Sequence, residues 1–370
     1  MKSDSPRLKL AIVYDKLLHY RYELFDLIGT HHELTVFTPK CDRNLSPKLF
    51  KIREVPATYV GGFRFQKGLR AQLLRDHFDA CIVFIDPRNL SSVATAIFPV
   101  APRTLTWGAW KTESFAANFV RLRAMNQAQA NIVYCHRHAV ELEQLGAAPA
   151  KLYVAHNTIH VGRSGAQQIN QSRRTVLFVG SLAPRKGLGR LLRIFHRVSQ
   201  YIDHSINLVI VGDGPERELA SRLVIKLGLE SRVQFVGKVL NPDTLADLYS
   251  QAIVSVSLNQ AGLSVLQSMG HGVPFLTTEQ SISGGEVDNI VDGFNGVLVE
   301  DSDPSICEAI VKICSSGDWA RQLGRNAAEH YETYATMDNY AQGFLDALDG
   351  VRRCAVWKGP AHASLGQTLR

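Results

Sequence analysis

The chain has 370 residues, 45% of them hydrophobic and 20% charged, with a formal net charge of +7. That length is too great for one compact core and sets two domains as the expectation. The composition is ordinary for a soluble globular protein, and no apolar run reaches the roughly 18 residues that a membrane-spanning helix needs.

Residues Met1–Arg7 lead straight into an apolar strand too short to serve a signal peptide. The six cysteines, Cys41, Cys81, Cys135, Cys307, Cys314 and Cys354, are scattered and form no C-x-x-C pair, which fits free thiols in a cytosolic enzyme. The Cys135–His138 cluster is too crowded for a metal shell, and no second cluster completes one. Charge is uneven: residues 1–174 hold 24 Lys/Arg against 13 Asp/Glu, and the remainder 17 against 21. A basic half fits either an anionic partner or a solvated basic face.

In chain order, strand signals fall at Leu8–Tyr14, Glu33–Thr38, Ala80–Ile85, Arg103–Trp107, Asn131–Tyr134 and Leu152–Ala155. Helical spacing falls between them at His19–Ile28, Leu69–Arg75, Phe115–Ala130 and His138–Leu145, the last stopped by Gly146. Alternation of this kind predicts an α/β domain with a parallel sheet. Residues Val161–Arg174 have almost no large apolar side chains and read as a linker. The pattern then restarts, with strands at Thr175–Val179, Ile206–Val211, Val233–Val236, Ile253–Leu258, Pro274–Thr277 and Gly296–Val299, and helices between and after them. Asn339–Val351 is a final amphipathic helix, and the residues beyond it form a loosely packed tail. Two successive open α/β units create a cleft suited to two substrates.

Three segments carry chemistry. Phe178–Gly187 (FVGSLAPRKG) runs a strand into a glycine turn with two cations before a helix. Backbone N–H groups and cations there suit a phosphate, although a surface turn with two solvated cations fits the same pattern. Asn259–Pro274 follows a strand with a turn holding Gly262, where the backbone can approach a phosphate, and a helix bearing Gln267, which can reach a ribose hydroxyl. Gly284-Gly285-Glu286 makes a tight loop that either brings Glu286 to a ligand or leaves it solvated, and Asp292–Gly296 is ordinary turn chemistry.

Taken together and in this order, FVGSLxxRKG, VGDGPE, VxFVGKV, GLSVLQSMGHGVP and DGFNG resemble the family-4 glycosyltransferases, over about residues 8–350. Tyr20–Phe25, Trp107-Gly108 and Val154–Thr158 resemble a subgroup that builds bacterial surface polysaccharides. The resemblance implies the GT-B architecture: an α/β fold of two Rossmann-like domains facing an interdomain cleft. Residues 1–160 would form the acceptor-side domain, 161–174 the linker and 175–336 the donor-binding domain. Residues 337–351 would be a helix packing back on the first domain, and 352–370 a tail.

It further implies a retaining, metal-independent transferase with no cofactor, the nucleotide-sugar being a substrate. Lys186, assisted by Arg185, would meet the donor diphosphate. Ser181, Gly237, Lys238, Asn259, Gly262, Leu263, Gln267 and Glu286 would complete the donor site, and Arg21, Trp107 and Gly108 would serve the acceptor side. The physical reading agrees, since a departing nucleoside diphosphate gathers charge that cations and amide dipoles can stabilise without a metal. The acceptor would be a glycan or a lipid-linked one in cell-surface polysaccharide biosynthesis. The setting would be the cytoplasm, with contact to the anionic inner membrane face through Arg64, Lys67, Arg70 and Arg75. No zinc spacing, helix-turn-helix signal or aromatic-interleaved basic run supports a nucleic-acid partner.

The chain departs from the family pattern at four places. Asn259 and Gln267 stand for a pair of glutamates, Ser181 for an arginine, Ala109 for a histidine, and His271 for a small residue. Amides both donate and accept, unlike carboxylates, so sugar and ribose recognition would differ. These departures keep open a catalytically inactive, nucleotide-binding scaffold, and a nucleotide-sugar epimerase is a third alternative.

Overall fold

Strands that are apolar along their whole length bury both faces, so they belong inside parallel sheets covered by helices on each side. The computed structural model describes residues 6–41, 46–108, 110–162, 173–352 and 357. Outside them lie Ala109, residues 163–172 of the expected linker, and the expected tail apart from Arg352 and Trp357. Contacts divide the chain into two units, one drawn from residues 1–157 and 337–359, the other chiefly from 158–336.

The first unit runs β1 (Lys9–Val13), α1 (Tyr22–His31), β2 (Glu33–Thr38), β3 (Phe50–Glu54), β4 (Thr58–Val60), β5 (Phe63–Phe65), α2 (Leu69–Arg75), β6 (Ala80–Phe84), α3 (Leu90–Ile97), β7 (Arg103–Trp107), α4 (Phe115–Gln127), β8 (Ala130–Val133), α5 (His136–Gln144) and β9 (Leu152–Val154). Seven of these strands form one parallel sheet in the order β3-β2-β1-β6-β7-β8-β9, with Leu10 opposite Leu34 on one side and Ala80 on the other. One face packs Leu10, Ile12, Ile82, Leu105 and Trp107. The other packs Ala11, Val13, Cys81 and Val83.

The second unit runs β10 (Thr175–Val179), α6 (Leu188–Val198), β11 (Asn207–Val211), α7 (Arg217–Lys226), β12 (Val233–Gly237), α8 (Pro242–Ser250), β13 (Ala252–Val256), α9 (Ser264–Gly270), β14 (Phe275–Thr278), β15 (Gly296–Val299), α10 (Asp303–Ser315) and α11 (Gly317–Tyr334). Its sheet is parallel throughout, in the order β12-β11-β10-β13-β14-β15. Strand order reverses between β10 and β13, the point where open α/β sheets bind ligands beyond their carboxyl ends. The last helix, α12 (Met337–Asp349), belongs to the first unit and packs on α1, β8 and β9. Gly343 lies so close to β9 that a Cβ there would sit 2.6 Å from the Cβ of Ala155.

Three elements of the first unit escape sequence periodicity. Strand β3, FKIRE, is an edge strand whose charged residues break the apolar run. The β4–β5 hairpin has only three residues a side around Gly61-Gly62, both at positive φ. Helix α3 opens just before the apolar stretch at Val93–Ala101 and is capped by Asn89, which accepts from Ser92 N at 3.2 Å. Boundaries shift for identifiable reasons. A 3-10 turn at His19–Arg21 precedes α1. Helix α4 stops at Gln127 because Gln129 N already bonds Thr104 O, at 3.0 Å, beside β7. Helix α8 starts at Pro242 because Asn241 accepts from Thr244 N at 2.9 Å. The loop expected at Glu286 is a 3-10 turn, Glu286–Asn289. Among the described residues, no two cysteines are joined by a disulfide and no helix is long and apolar enough to cross a membrane.

Candidate functional site

The carboxyl ends of β10, β13 and β14 assemble one cluster. After β10 the chain turns through Gly180 and Ser181, makes the 3-10 turn Pro184–Lys186, and enters α6 through Gly187. Gly187 is left-handed, with φ of +68°, and a Cβ there would fall 2.5 Å from the side chain of Asn259. Asn259 therefore lies directly over the turn, and only glycine fits beneath it.

Lys186 is 9% exposed, and its Nζ donates to the Gln260 backbone oxygen at 3.2 Å. Arg185 is exposed, and its Nε donates to Gln260 Oε1 at 2.9 Å. A Cβ on Gly262 would stand 4.0 Å from Lys186 Nζ, so this ammonium is aimed at the backbone of the β13–α9 turn. That turn is tied to the loop after β14 by Ile282 N to Asn259 O, 2.8 Å, and Ala261 N to Ile282 O, 3.0 Å. Glu286, 5% exposed, accepts from Gly284 N at 2.8 Å and Ser283 Oγ at 3.1 Å. Burial, and after it the Arg185 guanidinium, lower the Lys186 pKa from its ordinary 10.5, while the Glu286 carboxylate acts in the opposite direction. The group is a concentrated, partly desolvated positive charge, and such a charge is suited to an anion.

The remaining donor-side candidates surround this cluster. Ser181 is exposed. Leu263 and Gln267 are half-buried at and within α9. Gly237, at φ +84°, ends β12 and accepts from Gly212 N at 2.8 Å, with Lys238 exposed beside it. Bulky His271 is accounted for by packing, since its ring stacks on buried Tyr249 at 4.6 Å. Gln260, which receives both cations, carries no sequence signal, because its backbone carbonyl does half the work. Among the described residues, no three His, Cys, Asp or Glu side chains are grouped closely enough to hold a metal ion.

In the first unit, the acceptor-side candidates are packed more tightly than the sequence suggests. Trp107 is fully buried, stacked on Tyr14 at 4.8 Å and edge-on to Phe344 at 5.0 Å, which takes its ring out of reach of any ligand in this conformation. Gly108, at φ +78°, would press a Cβ to 2.3 Å from the Phe84 ring. The Trp-Gly pair is a packing device here. Arg21 is 3% exposed; it donates to Asn157 Oδ1 at 2.6 Å and to the Tyr14 hydroxyl at 3.3 Å. Its guanidinium lies over the rings of Tyr20, Trp107 and Tyr340.

The basic patch also needs correction. Arg64 is no free surface cation, because it is ion-paired to both Asp15 and Asp86. Asn89 adds a bond to Asp15 at 2.8 Å, and the network fixes the β4–β5 hairpin to the carboxyl ends of β1 and β6. Burial raises the Asp15 pKa against the pull of Asn89 and Arg64. Arg70 is spent on the carbonyls of Ala94 and Phe98, at 3.0 and 2.5 Å. Lys67 and Arg75 remain exposed.

Residues 164–330 match the family described as Glycosyl transferases group 1. An uncharacterized glycosyltransferase of Methanocaldococcus jannaschii is 31% identical over 179 residues, which is 47% of this chain and 44% of that protein. N-acetyl-alpha-D-glucosaminyl L-malate synthase of Bacillus anthracis is 28% identical over 188 residues, 49% and 47% of the two chains. The matched region thus spans less than half the length of these relatives. Among solved structures, Anabaena HepE in complex with UDP and glucose superposes with a TM-score of 0.70 at 15% identity, over 93% of this chain and 100% of that one. WaaG, a glycosyltransferase involved in lipopolysaccharide biosynthesis, gives 0.68 at 16%, over 91% and 98%. The chain therefore has the GT-B fold of two Rossmann-like domains, and the stretch similar to glycosyl transferases group 1, residues 164–330, falls in its second unit.

Proposed function

We propose that the chain is a retaining, metal-independent glycosyltransferase that moves a sugar from a nucleotide-sugar donor to a glycan or lipid-linked acceptor in cell-surface polysaccharide biosynthesis. The observation that carries this reading is the buried Lys186 ammonium, held beside Gln260 and Gly262 at the reversal point of the second sheet. When the bond from the donor sugar to its phosphate breaks, charge gathers on the departing diphosphate. Lys186 meets that charge from within and Arg185 from the rim, so neither a metal nor a cofactor is required. Asn259, Gly262, Leu263, Gln267 and Glu286 would surround sugar and ribose, with Ser181 near the phosphates and Gly237 and Lys238 beside the base. On the acceptor side Arg21 would serve the acceptor, with Trp107 under its guanidinium and Gly108 letting the chain turn closely past Phe84. UDP and glucose in HepE, and the lipopolysaccharide role of WaaG, support uridine-linked sugars and surface glycans as the first substrates to try.

The test is sugar transfer and donor hydrolysis across a nucleotide-sugar panel, with chelator present. Turnover is expected, and absence of both turnover and nucleotide binding refutes the reading. Binding without transfer would instead support the inactive scaffold, which Asn259 and Gln267 in place of the family's glutamates favour.

We also propose that the first unit touches the cytoplasmic, anionic face of a membrane. Between residues 55 and 140 there are ten Lys/Arg against four Asp/Glu. Exposed Tyr59, Phe63, Phe65, Phe98, Phe115 and Phe119 lie on or beside β4, β5, α3 and α4, of which β5 packs on α3 and α3 on α4. Aromatic rings with neighbouring cations suit the headgroup region. Binding to phosphatidylglycerol vesicles that weakens in high salt is expected, and no binding at low salt counts against the contact.

A further inference from the structure

The amino ends of β10, β11 and β13 form the edge of the second sheet opposite Lys186, and they frame a cavity of about 220 Å3. Arg173, Arg174 and Arg321 line it, together with Asp203, Ser205 and Gly317. Their charges do not balance. Asp203 accepts from Ser205 N at 2.7 Å and is stabilised by Arg174, so those two answer each other. Arg321 pairs with Asp318, but that carboxylate is 99% exposed and well screened by water.

Arg173 has no ion pair among the described residues. One of its terminal nitrogens donates to Gly272 O at 3.0 Å, while its buried Nε has no acceptor. Arg173 and Arg321 line the same cavity, and burial, and then the like charge of Arg321, lower the Arg173 pKa. The preceding stretch, residues 161–172, contains no Asp or Glu to supply a carboxylate. Two guanidinium forks lining one cavity suit an oxyanion, since a fork can present two parallel N–H donors to tetrahedral oxygens.

We infer that this cavity is a binding site for a phosphate group, distinct from the donor site and built on Arg173 and Arg321. It lies behind the sheet, so it can be filled without displacing a nucleotide at Lys186. The group is either free phosphate or the phosphoryl end of a small sugar phosphate.

Inorganic phosphate is titrated against the full chain in a thermal-shift assay, with chloride holding ionic strength constant. A saturable rise in Tm is expected for the wild type and for Lys186→Ala, with binding at least about tenfold weaker in Arg173→Gln and Arg321→Gln. Arg173→Lys, which keeps the charge and loses the fork, should fall between. Glucose 1-phosphate run in parallel separates the sources: tighter binding than phosphate identifies a sugar phosphate, and equal or weaker binding identifies the free ion. A response absent from the wild type, or lost in Lys186→Ala and kept in Arg173→Gln, overturns the inference. Should Arg173→Gln fail to fold, a wild-type response in Arg321→Gln overturns it equally.

Discussion

Replacing Lys186 by alanine removes the charge on which the proposed chemistry depends, and its surroundings allow the effect to be sized. The ammonium is 9% exposed, so it acts in a medium well below the polarity of water. A unit charge about 4 Å away is worth roughly 4 kcal/mol at an effective dielectric constant of about 20. Only the charge that develops as the diphosphate departs counts toward rate. The expected loss in kcat is therefore about 10²–10³-fold, or about 3–4 kcal/mol, the range found when one donor to a developing oxyanion is removed. The fold should tolerate the change. Gln260 O keeps its bond from Ser257 Oγ at 2.8 Å, and Glu286 keeps Gly284 N and Ser283 Oγ. Steady-state transfer with saturating donor, alongside a melting curve, is the assay. Wild-type turnover in a folded Lys186→Ala protein would refute the role given to this residue.

Four further outcomes are expected. Because Arg185 helps to depress the Lys186 pKa, the alkaline limb of activity should lie below pH 10.5 and move upward in Arg185→Gln, with a smaller loss of turnover than in Lys186→Ala; an unmoved limb contradicts the coupling. The folded state holds Lys186 at a lowered pKa, so its protonation costs stability below that value, and the cost is relieved as pH rises toward 10.5; a stability titration of wild type against Lys186→Met reads the difference. Gln267→Ala should raise the donor KM while leaving kcat near wild type, and an unchanged KM would remove Gln267 from the donor site. Gly187→Ala should destabilise by about 2 kcal/mol, lowering Tm by roughly 4–8 °C, because it combines a left-handed backbone with a clash against Asn259; an unchanged Tm would show that the turn relaxes freely.

Much of the fold can be read along the chain, because β1, β2, β6, β10, β11 and β13 are continuous apolar runs that suit no other environment. The short hairpin and edge strand β3 are silent for the converse reason: three residues establish no period, and FKIRE alternates like an exposed segment. The site divides similarly. Lys186, Asn259 and Gly262 stand out singly through glycine, charge and spacing, but what brings them together is the pairing of β10 with β13, across about 75 residues. No local pattern encodes that neighbour relation. Trp107-Gly108 has the look of a ligand loop, yet its burial is decided by Tyr14, Phe84 and Phe344, which come from three distant elements. Arg64 resembles a surface cation until its partners Asp15 and Asp86 are known.

The discontinuous make-up of the first unit has a consequence during synthesis. Helix α12 supplies Tyr340 and Phe344 to the core around Trp107, and Gly343 lets it settle against Ala155. A nascent chain that has emerged only as far as Ala155 leaves that aromatic floor uncovered. Residues 158–336, by contrast, complete a core from one uninterrupted stretch. The half that begins first must wait for a helix made some 180 residues later, so the later half is expected to mature ahead of it, and a chain stalled before Met337 would display the Trp107 cluster to chaperones.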